Sequence, residues 1–109
     1  MNLKDKKIVL EFKKKLPLEL QKHLKRIIVF GSRVRGSTQV HSDLDVAVLV
    51  DKKNINLEKK FDDLAYEVMW EHDFKPIISL KVFTESHFKA ALNSGFSFYR
   101  HIQDEGISL

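Results

Sequence analysis

The sequence predicts an α/β (α+β) domain in which a small mixed β-sheet of three or more strands is covered by helices. Two long segments repeat apolar residues at helical spacing, and two short runs are almost wholly apolar, as strands buried in a sheet are. Helical and strand segments alternate along the chain, which is typical of a sheet with helices packed on it. The length of 109 residues suits one domain, so we expect residues 1–109 to fold as a single domain.

The first half of the chain contains two predicted helices and two predicted strands. Residues 3–15 place their apolar side chains on one side of a helix, and Pro17 suits the start of a second short turn or helix over residues 18–24. Residues 27–30 are β-branched or aromatic, which indicates a buried strand that ends at Gly31. Residues 44–50 are nearly all apolar and form the second predicted strand.

The second half contains a long helix, a third strand and two shorter helices. Asn54 or Asn56 can cap a helix that runs to about residue 71, with apolar side chains recurring every three or four residues. Residues 76–83 form the third predicted strand, and Thr84 suits the cap of a short helix after it. A last helix is predicted over residues 96–104, with Gly106 as its stop.

Composition and charge exclude several classes of protein. Hydrophobic residues make up 43% and charged residues 31%, a composition that is typical of a globular domain and not of a disordered tail. No apolar run approaches the ~20 residues that cross a bilayer, and the lysine-rich start has no signal-peptide core, so we expect a soluble cytoplasmic protein. With no cysteine, disulfides and thiolate metal sites are excluded. The net charge of +4 is concentrated in lysines before the first strand, where a solvated helix face is the favoured interpretation.

Two short motifs can carry chemistry. Gly31 and Ser32 follow a buried strand, where a glycine lets the backbone turn sharply and a serine offers a hydroxyl and an N–H to a phosphate. Asp43 and Asp45 are two residues apart at a strand start, so both carboxylates point to one face and present the oxygen ligands that suit Mg²⁺. Taken separately, an ordinary turn and two solvated acids are the simpler interpretations.

The two motifs together resemble a known pattern. Ten residues separate Ser32 from Asp43, which is similar to the Gly-Ser-x10-Asp-x-Asp motif of the polymerase-beta-like nucleotidyltransferase superfamily. The order of strand, Gly-Ser turn, short helix and acidic strand matches as well. A chain this short resembles the minimal nucleotidyltransferase family, of antitoxin type, over residues 16–109. The resemblance implies the nucleotidyltransferase fold.

The resemblance also implies an activity and a site. Asp43 and Asp45 would be catalytic and would hold Mg²⁺, and Gly31 and Ser32 would bind the phosphates of ATP or another NTP. A nucleoside monophosphate, AMP if the substrate is ATP, would pass to an acceptor hydroxyl, with release of pyrophosphate. Two arginines close by, Arg33 and Arg35, could neutralise phosphate charge but are not assigned to the site.

One position departs from the family pattern. The superfamily carries a third acid on the next strand, and Ser79 occupies the matching position here. A hydroxyl is a poor ligand for Mg²⁺ and no general base at neutral pH. Three options stay open: the enzyme works with two acids, a nearby acid such as Glu71 or Asp73 substitutes, or the chain binds nucleotide without turning it over.

The resemblance further implies a protein partner. In the minimal family the partner is a HEPN-type toxin and the acceptor is one of its tyrosines, so we expect an NTP substrate and such a partner. An assembly of identical or different chains is left open, and neither nucleic acid nor membrane is expected. The alternative function is a catalytically weak or inactive nucleotide-binding module that neutralises its partner by contact. Nucleic-acid binding through the lysine-rich first helix ranks last, because no aromatic stacking surface accompanies the lysines.

Overall fold

The computed structural model describes residues 1–36 and 42–109, within which a four-stranded mixed sheet is covered by five helices. The helices are α1 (Leu3–Lys15), α2 (Leu18–Gln21), α3 (Ile55–Glu71), α4 (Glu85–Asn93) and α5 (Ser97–Glu105). The strands are β1 (Leu24–Phe30), β2 (Leu44–Val50), β3 (Ile78–Thr84) and β4 (Ile107–Ser108). The predicted fold class is therefore confirmed.

The strands lie in the order β3-β2-β1-β4. β1 runs antiparallel to both β2 and β4, whereas β2 and β3 are parallel. Helix α3 connects the two parallel strands, as a parallel pair requires a crossover. The end of β1 and the starts of β2 and β3 consequently meet at one edge of the sheet, where the predicted site residues lie.

Side chains on the two faces of the sheet form two separate cores. Alternate residues of each strand pack toward α1 and α3 on one face and toward α4 and α5 on the other. Burying one such large apolar side chain contributes about 1.5–3 kcal/mol. The first core includes Ile8, Phe12, Val29, Val46, Val48, Phe61 and Val68. The second is smaller and includes Ile28, Phe30, Ala47, Leu49, Phe88 and Ile102.

Helix α1 presents an apolar face to the sheet and a lysine-rich face to solvent, as the sequence predicts. Ile8, Val9 and Phe12 are buried, and the flanking lysines are mostly exposed. One residue departs from this pattern, because Asp5 on the buried face is fully inaccessible. A buried carboxylate requires a partner, and that partner lies close to the candidate site.

The helix caps are confirmed, and several boundaries differ from prediction. The side chain of Asn54 accepts a hydrogen bond from Leu57 N at 2.8 Å, and Thr84 caps α4 by accepting one from His87 N at 3.1 Å. Helix α2 ends at Gln21 because the chain already enters β1, which begins at Leu24 rather than at residue 27.

The short helix expected after Ser32 is replaced, over residues 32–36, by turns. The amide of Val34 donates to the carbonyl of Gly31 at 3.2 Å in the first of these turns. The rest of that expected helix falls on residues 37–41, outside the described residues. Within residues 1–36 and 42–109, no helix combines the length and the apolar character needed to cross a membrane.

Strand β4 was not predicted, and Gly106 makes it possible. Gly106 ends α5, and its amide donates to Ile102 O at 3.0 Å. A Cβ at this position would collide with that carbonyl and with the side chain of Ile28 on β1. The glycine is therefore needed for a close approach, which brings residues 107–108 into register with β1.

We expect Gly106→Ala to lower the free energy of unfolding by about 1–3 kcal/mol, because a methyl group has no room between α5 and β1. Urea denaturation followed by circular dichroism measures the change. Ser108→Ala is the matched control, since Ser108 is exposed and its pairing uses the backbone, and it should stay within about 0.5 kcal/mol of wild type. Equal stability of the two variants would contradict this account of β4.

Candidate active site

Asp45 lies at the centre of the candidate site. It is the second residue of β2 and is paired with Phe30 on β1 and with Ser79 on β3. Cross-strand partners point to the same face of a sheet, so these three side chains are neighbours on the face that carries α4 and α5. Asp45 is half-buried there, whereas Asp43, before the strand begins, is exposed.

Gly31 approaches Asp45 closely in the folded chain. A Cβ at Gly31 would collide with Oδ2 of Asp45, and it would also lie 3.2 Å from Cγ. Gly31 adopts φ +86°, which only glycine adopts without strain. Two independent constraints therefore require glycine here, and the absence of a side chain leaves the backbone open beside the carboxylate.

Ser32 begins the turn that leads away from Gly31. It is half-buried and belongs to the hydrogen-bonded turns of residues 32–36. The structure thus brings Gly31, Asp43 and Asp45 together, and Ser32 directly follows Gly31 in the chain. The fold supplies the strand, turn and strand that the motif requires.

The negative charge of Asp45 is only partly compensated by the groups around it. Burial raises its pKa above the ordinary value, and the nearby charge of Asp43 raises the pKa further. The ammonium group of Lys81, on the same face of β3, lowers the pKa and opposes both effects only in part. Among the described residues, no hydrogen bond or ion pair reaches the carboxylate of Asp45.

These residues fit a divalent cation with oxygen ligands. Two adjacent carboxylates, one of them half-buried without a hydrogen-bonded partner, gain stability from a bound cation. Mg²⁺ retains several waters and commonly takes one or two carboxylates together with substrate phosphates. Asp43 and Asp45 can hold such an ion, and when bound it would neutralise phosphate charge beside Gly31.

Ser79 stands where the sequence analysis expects it, level with Asp45 on the neighbouring strand. Of the three options left open, substitution by Glu71 or Asp73 gains no support. In the part of the chain that the structure describes, no group of three or more acids or histidines is placed to hold a metal ion. Glu71 instead pairs with Lys15 on α1.

Both arginines near the motif are engaged in ion pairs. Arg33 bonds to the buried Asp5 of α1, and Arg35 pairs with Glu105 of α5 at 3.2 Å on the surface. Sequence reasoning missed Asp5 and also Lys81, whose charge acts on Asp45. The sequence did contain a signal for Lys81. Side chains alternate between the two faces of a strand, so Lys81, two residues after Ser79, lies on the same face of β3.

One aromatic side chain of α5, that of Phe98, packs beside the candidate site. Phe98 packs edge-on against Phe30 with ring centroids 5.9 Å apart, although 44% of Phe98 remains exposed. Phe96, just before α5, is 61% exposed. Since Phe30 is the cross-strand neighbour of Asp45, an exposed apolar surface adjoins the acidic pair.

Comparisons with known proteins agree with this geometry. The sequence pattern of the family described as polymerase beta, nucleotidyltransferase matches residues 12–108. A protein of Methanocaldococcus jannaschii, provisionally named a protein adenylyltransferase, is 35% identical over 91 residues, which cover 81% of this chain and 92% of that protein. A second protein of the same organism, with the same provisional name, is 28% identical over 107 residues, or 95% of this chain and 96% of its own.

A solved structure shares the fold. It is a crystal structure of the toxin–antitoxin MntA–HpeT that carries a tyrosine-to-alanine substitution. The matched chain has a TM-score of 0.55 and 23% identity, and the match covers 99% of this chain and 72% of that chain. At this identity the likeness shows the fold alone.

We expect Asp45→Asn to raise the thermal midpoint at pH 7 by up to about 5 °C. The gain is limited because solvent partly screens the charge of this half-buried carboxylate. The folded state raises the pKa of Asp45, so its ionised form lowers stability above that pKa. The gain should disappear as the pH falls through the raised pKa toward the ordinary value of 3.8. Differential scanning fluorimetry across this pH range measures it.

We expect Mg²⁺ to raise the thermal midpoint of the wild-type protein and to leave that of Asp45→Asn unchanged, since a bound ion stabilises the folded state only where it has ligands. Asp62→Asn on α3 is the matched control, because burial also raises the pKa of Asp62. It should keep the response to Mg²⁺. A shift that persists in Asp45→Asn would contradict the assignment of the ion to this carboxylate.

Proposed function

Because the chain belongs to the polymerase beta nucleotidyltransferase family, we propose that it transfers AMP from ATP, with Mg²⁺, to an acceptor hydroxyl on a partner protein. The observation that carries this proposal is the contact of Gly31 with Asp45, with Asp43 alongside. It joins a turn suited to phosphates to a pair of carboxylates suited to a cation.

Each residue of the motif has a distinct part in the proposed reaction. Gly31, without a side chain, lets the phosphates approach the backbone, and Ser32 donates its hydroxyl and amide to them. Asp43 and Asp45 hold Mg²⁺, which when bound supplies charge neutralisation and lowers the pKa of an attacking hydroxyl. The acceptor hydroxyl gives up its proton to solvent and its oxygen bonds to the α-phosphorus. The bond from that phosphorus to the oxygen that bridges it to the β-phosphate breaks, and pyrophosphate leaves.

A protein acceptor is supported by the comparisons and by the surface beside the site. The two relatives are provisionally named protein adenylyltransferases, and the structure that shares the fold is a toxin–antitoxin complex. Phe98 exposes apolar surface beside Phe30, the cross-strand neighbour of Asp45, as a docking face for a partner would. The proposed partner is a HEPN-type toxin, the proposed acceptor is one of its tyrosines, and the proposed role is that of an antitoxin.

A second function is favoured by Ser79. With a hydroxyl where the superfamily carries its third acid, beside Asp45, the chain would bind nucleotide and neutralise its partner by contact, with weak or no transfer. The two functions differ in whether the aspartates are needed for neutralisation.

We expect label from ATP marked at the α-phosphate, and none from ATP marked at the γ-phosphate, to appear on the product of the adjacent gene in the presence of Mg²⁺. Asp43→Asn and Asp45→Asn should each lower the rate by about 100-fold or more, because each removes a charged ligand of the ion that would neutralise the reacting phosphate. Gel autoradiography of the mixture measures the transfer. Label transfer at the wild-type rate by both variants would falsify the catalytic assignment.

Neutralisation in cells separates the two functions. If the Asp43→Asn/Asp45→Asn double variant transfers no label yet still protects cells from the partner, neutralisation is by contact. If protection is lost while the complex still forms, neutralisation requires transfer.

We expect Ser79→Asp to increase the affinity for Mg²⁺ and the transfer rate by roughly tenfold, since it adds a third charged ligand beside Asp45. Without the ion, the added charge should raise the pKa of Asp45 further and lower the thermal midpoint. Ser79→Asn is the matched control, with the same shape and no charge. Steady-state kinetics against Mg²⁺ concentration provide the measurement, and equal behaviour of the two variants would show that Ser79 does not limit the reaction.

A further inference from the structure

Arg33 joins three segments of the chain that surround the candidate site. Its Nε donates to Oδ2 of Asp5 at 2.8 Å, and one terminal nitrogen donates to Oδ1 of Asp5 at 3.0 Å. The other terminal nitrogen donates to the carbonyl oxygen of Ser42 at 3.1 Å and lies 3.3 Å from its hydroxyl. One guanidinium group thus connects the first turn of α1, the turn after β1 and the residues before β2.

The two ends that Arg33 connects are the two halves of the site. Arg33 directly follows Ser32, and Ser42 directly precedes Asp43. This side chain therefore adds a second connection, besides the pairing of β1 with β2, between the Gly31–Ser32 turn and Asp43. Arg33 is not a free phosphate ligand, because each of its three guanidinium nitrogens already donates to Asp5 or to Ser42.

Burial makes this connection rigid. The side chain of Asp5 is fully inaccessible and that of Arg33 is 12% exposed. An ion pair at such depth holds one geometry, since either partner alone would be an unpaired buried charge. Asp5 is held in turn by α1, whose neighbouring side chains Ile8 and Val9 are packed in the larger core.

We propose that Asp5 and Arg33 are positioning residues for nucleotide transfer, which fix the Gly31–Ser32 turn relative to Asp43. The proposal rests on the proposed function. It extends the working parts of the domain to the start of α1, which lies before residue 12, where the family match begins.

The test compares Asp5→Asn with Glu11→Gln in the full-length chain. Both remove an acid of α1, and Glu11 pairs with Lys15 and His72 at the end of the helix remote from the turn. Kinetics are measured well below the unfolding midpoint of each variant, so that loss of folded protein does not enter. We expect Asp5→Asn to lower kcat/KM by about 100-fold, as misplacement by about 1 Å can do, and Glu11→Gln to change it less than about threefold.

A second variant keeps the test decisive if Asp5→Asn fails to fold. Arg33→Lys keeps the positive charge beside Asp5 but lacks the planar fork that also reaches Ser42. We expect it to fold and to lower kcat/KM by about tenfold or more. Wild-type kinetic constants in Arg33→Lys, or equal losses in Asp5→Asn and Glu11→Gln, would overturn the proposal.

Hydrogen exchange tests the positioning without requiring activity. The amides of Val34 and Gly36 donate within the turn, to Gly31 and Arg33, and report its order, whereas amides at the centre of β2 report global stability. We expect Arg33→Lys to speed exchange in the turn by about tenfold and to leave β2 unchanged. Equal acceleration in both regions, or none in the turn, would overturn the proposal. If the wild-type protein transfers no label, the proposed function fails and the exchange result alone decides whether Arg33 orders the turn.

Discussion

The register between β1 and β2 is the constraint on which the candidate site depends. Phe30 is paired with Asp45, so Gly31, the next residue, lies against the carboxylate. Apart from Asp45, all residues of β2 are apolar and buried. If β2 slipped by one position, these residues would still be buried, so they alone do not determine the register. Asp45 prevents that slip, because it would turn the carboxylate into the larger core, where an unpaired charge is strongly destabilising. The residue proposed for catalysis therefore also determines the strand pairing.

Asp5 and Asp45 have opposite electrostatic surroundings. Asp5 is fully buried and compensated by a bidentate arginine, as buried charges in stable proteins usually are. Asp45 is half-buried with Asp43 nearby and only the charge of Lys81 to oppose the rise in its pKa. Unrelieved repulsion of this kind is common where a cation or substrate completes the charge balance. The contrast is between a buried ion pair whose charges compensate each other and a pair of neighbouring acids whose charges do not.

The uneven covering of the sheet explains where a partner can reach the site. Helices α1 and α3 cover one face with the larger core, and α4 and α5 cover the other with the smaller one. On this second face, the partly exposed ring of Phe98 on α5 packs against Phe30, which is the cross-strand neighbour of Asp45.

The sequence by itself determined the elements and the pairs of residues that are close along the chain. Asn54 and Thr84 are caps, Gly31 ends a strand, and Asp43 and Asp45 lie close together, because each of these features depends on a few consecutive residues. Only the tertiary structure decided the pairing of β4 with β1, the close approach of Gly106 to Ile28, and the ion pair of Asp5 with Arg33. Those contacts join residues 28 or more positions apart, and they form only because the packed cores bring distant segments into register, which no local pattern encodes.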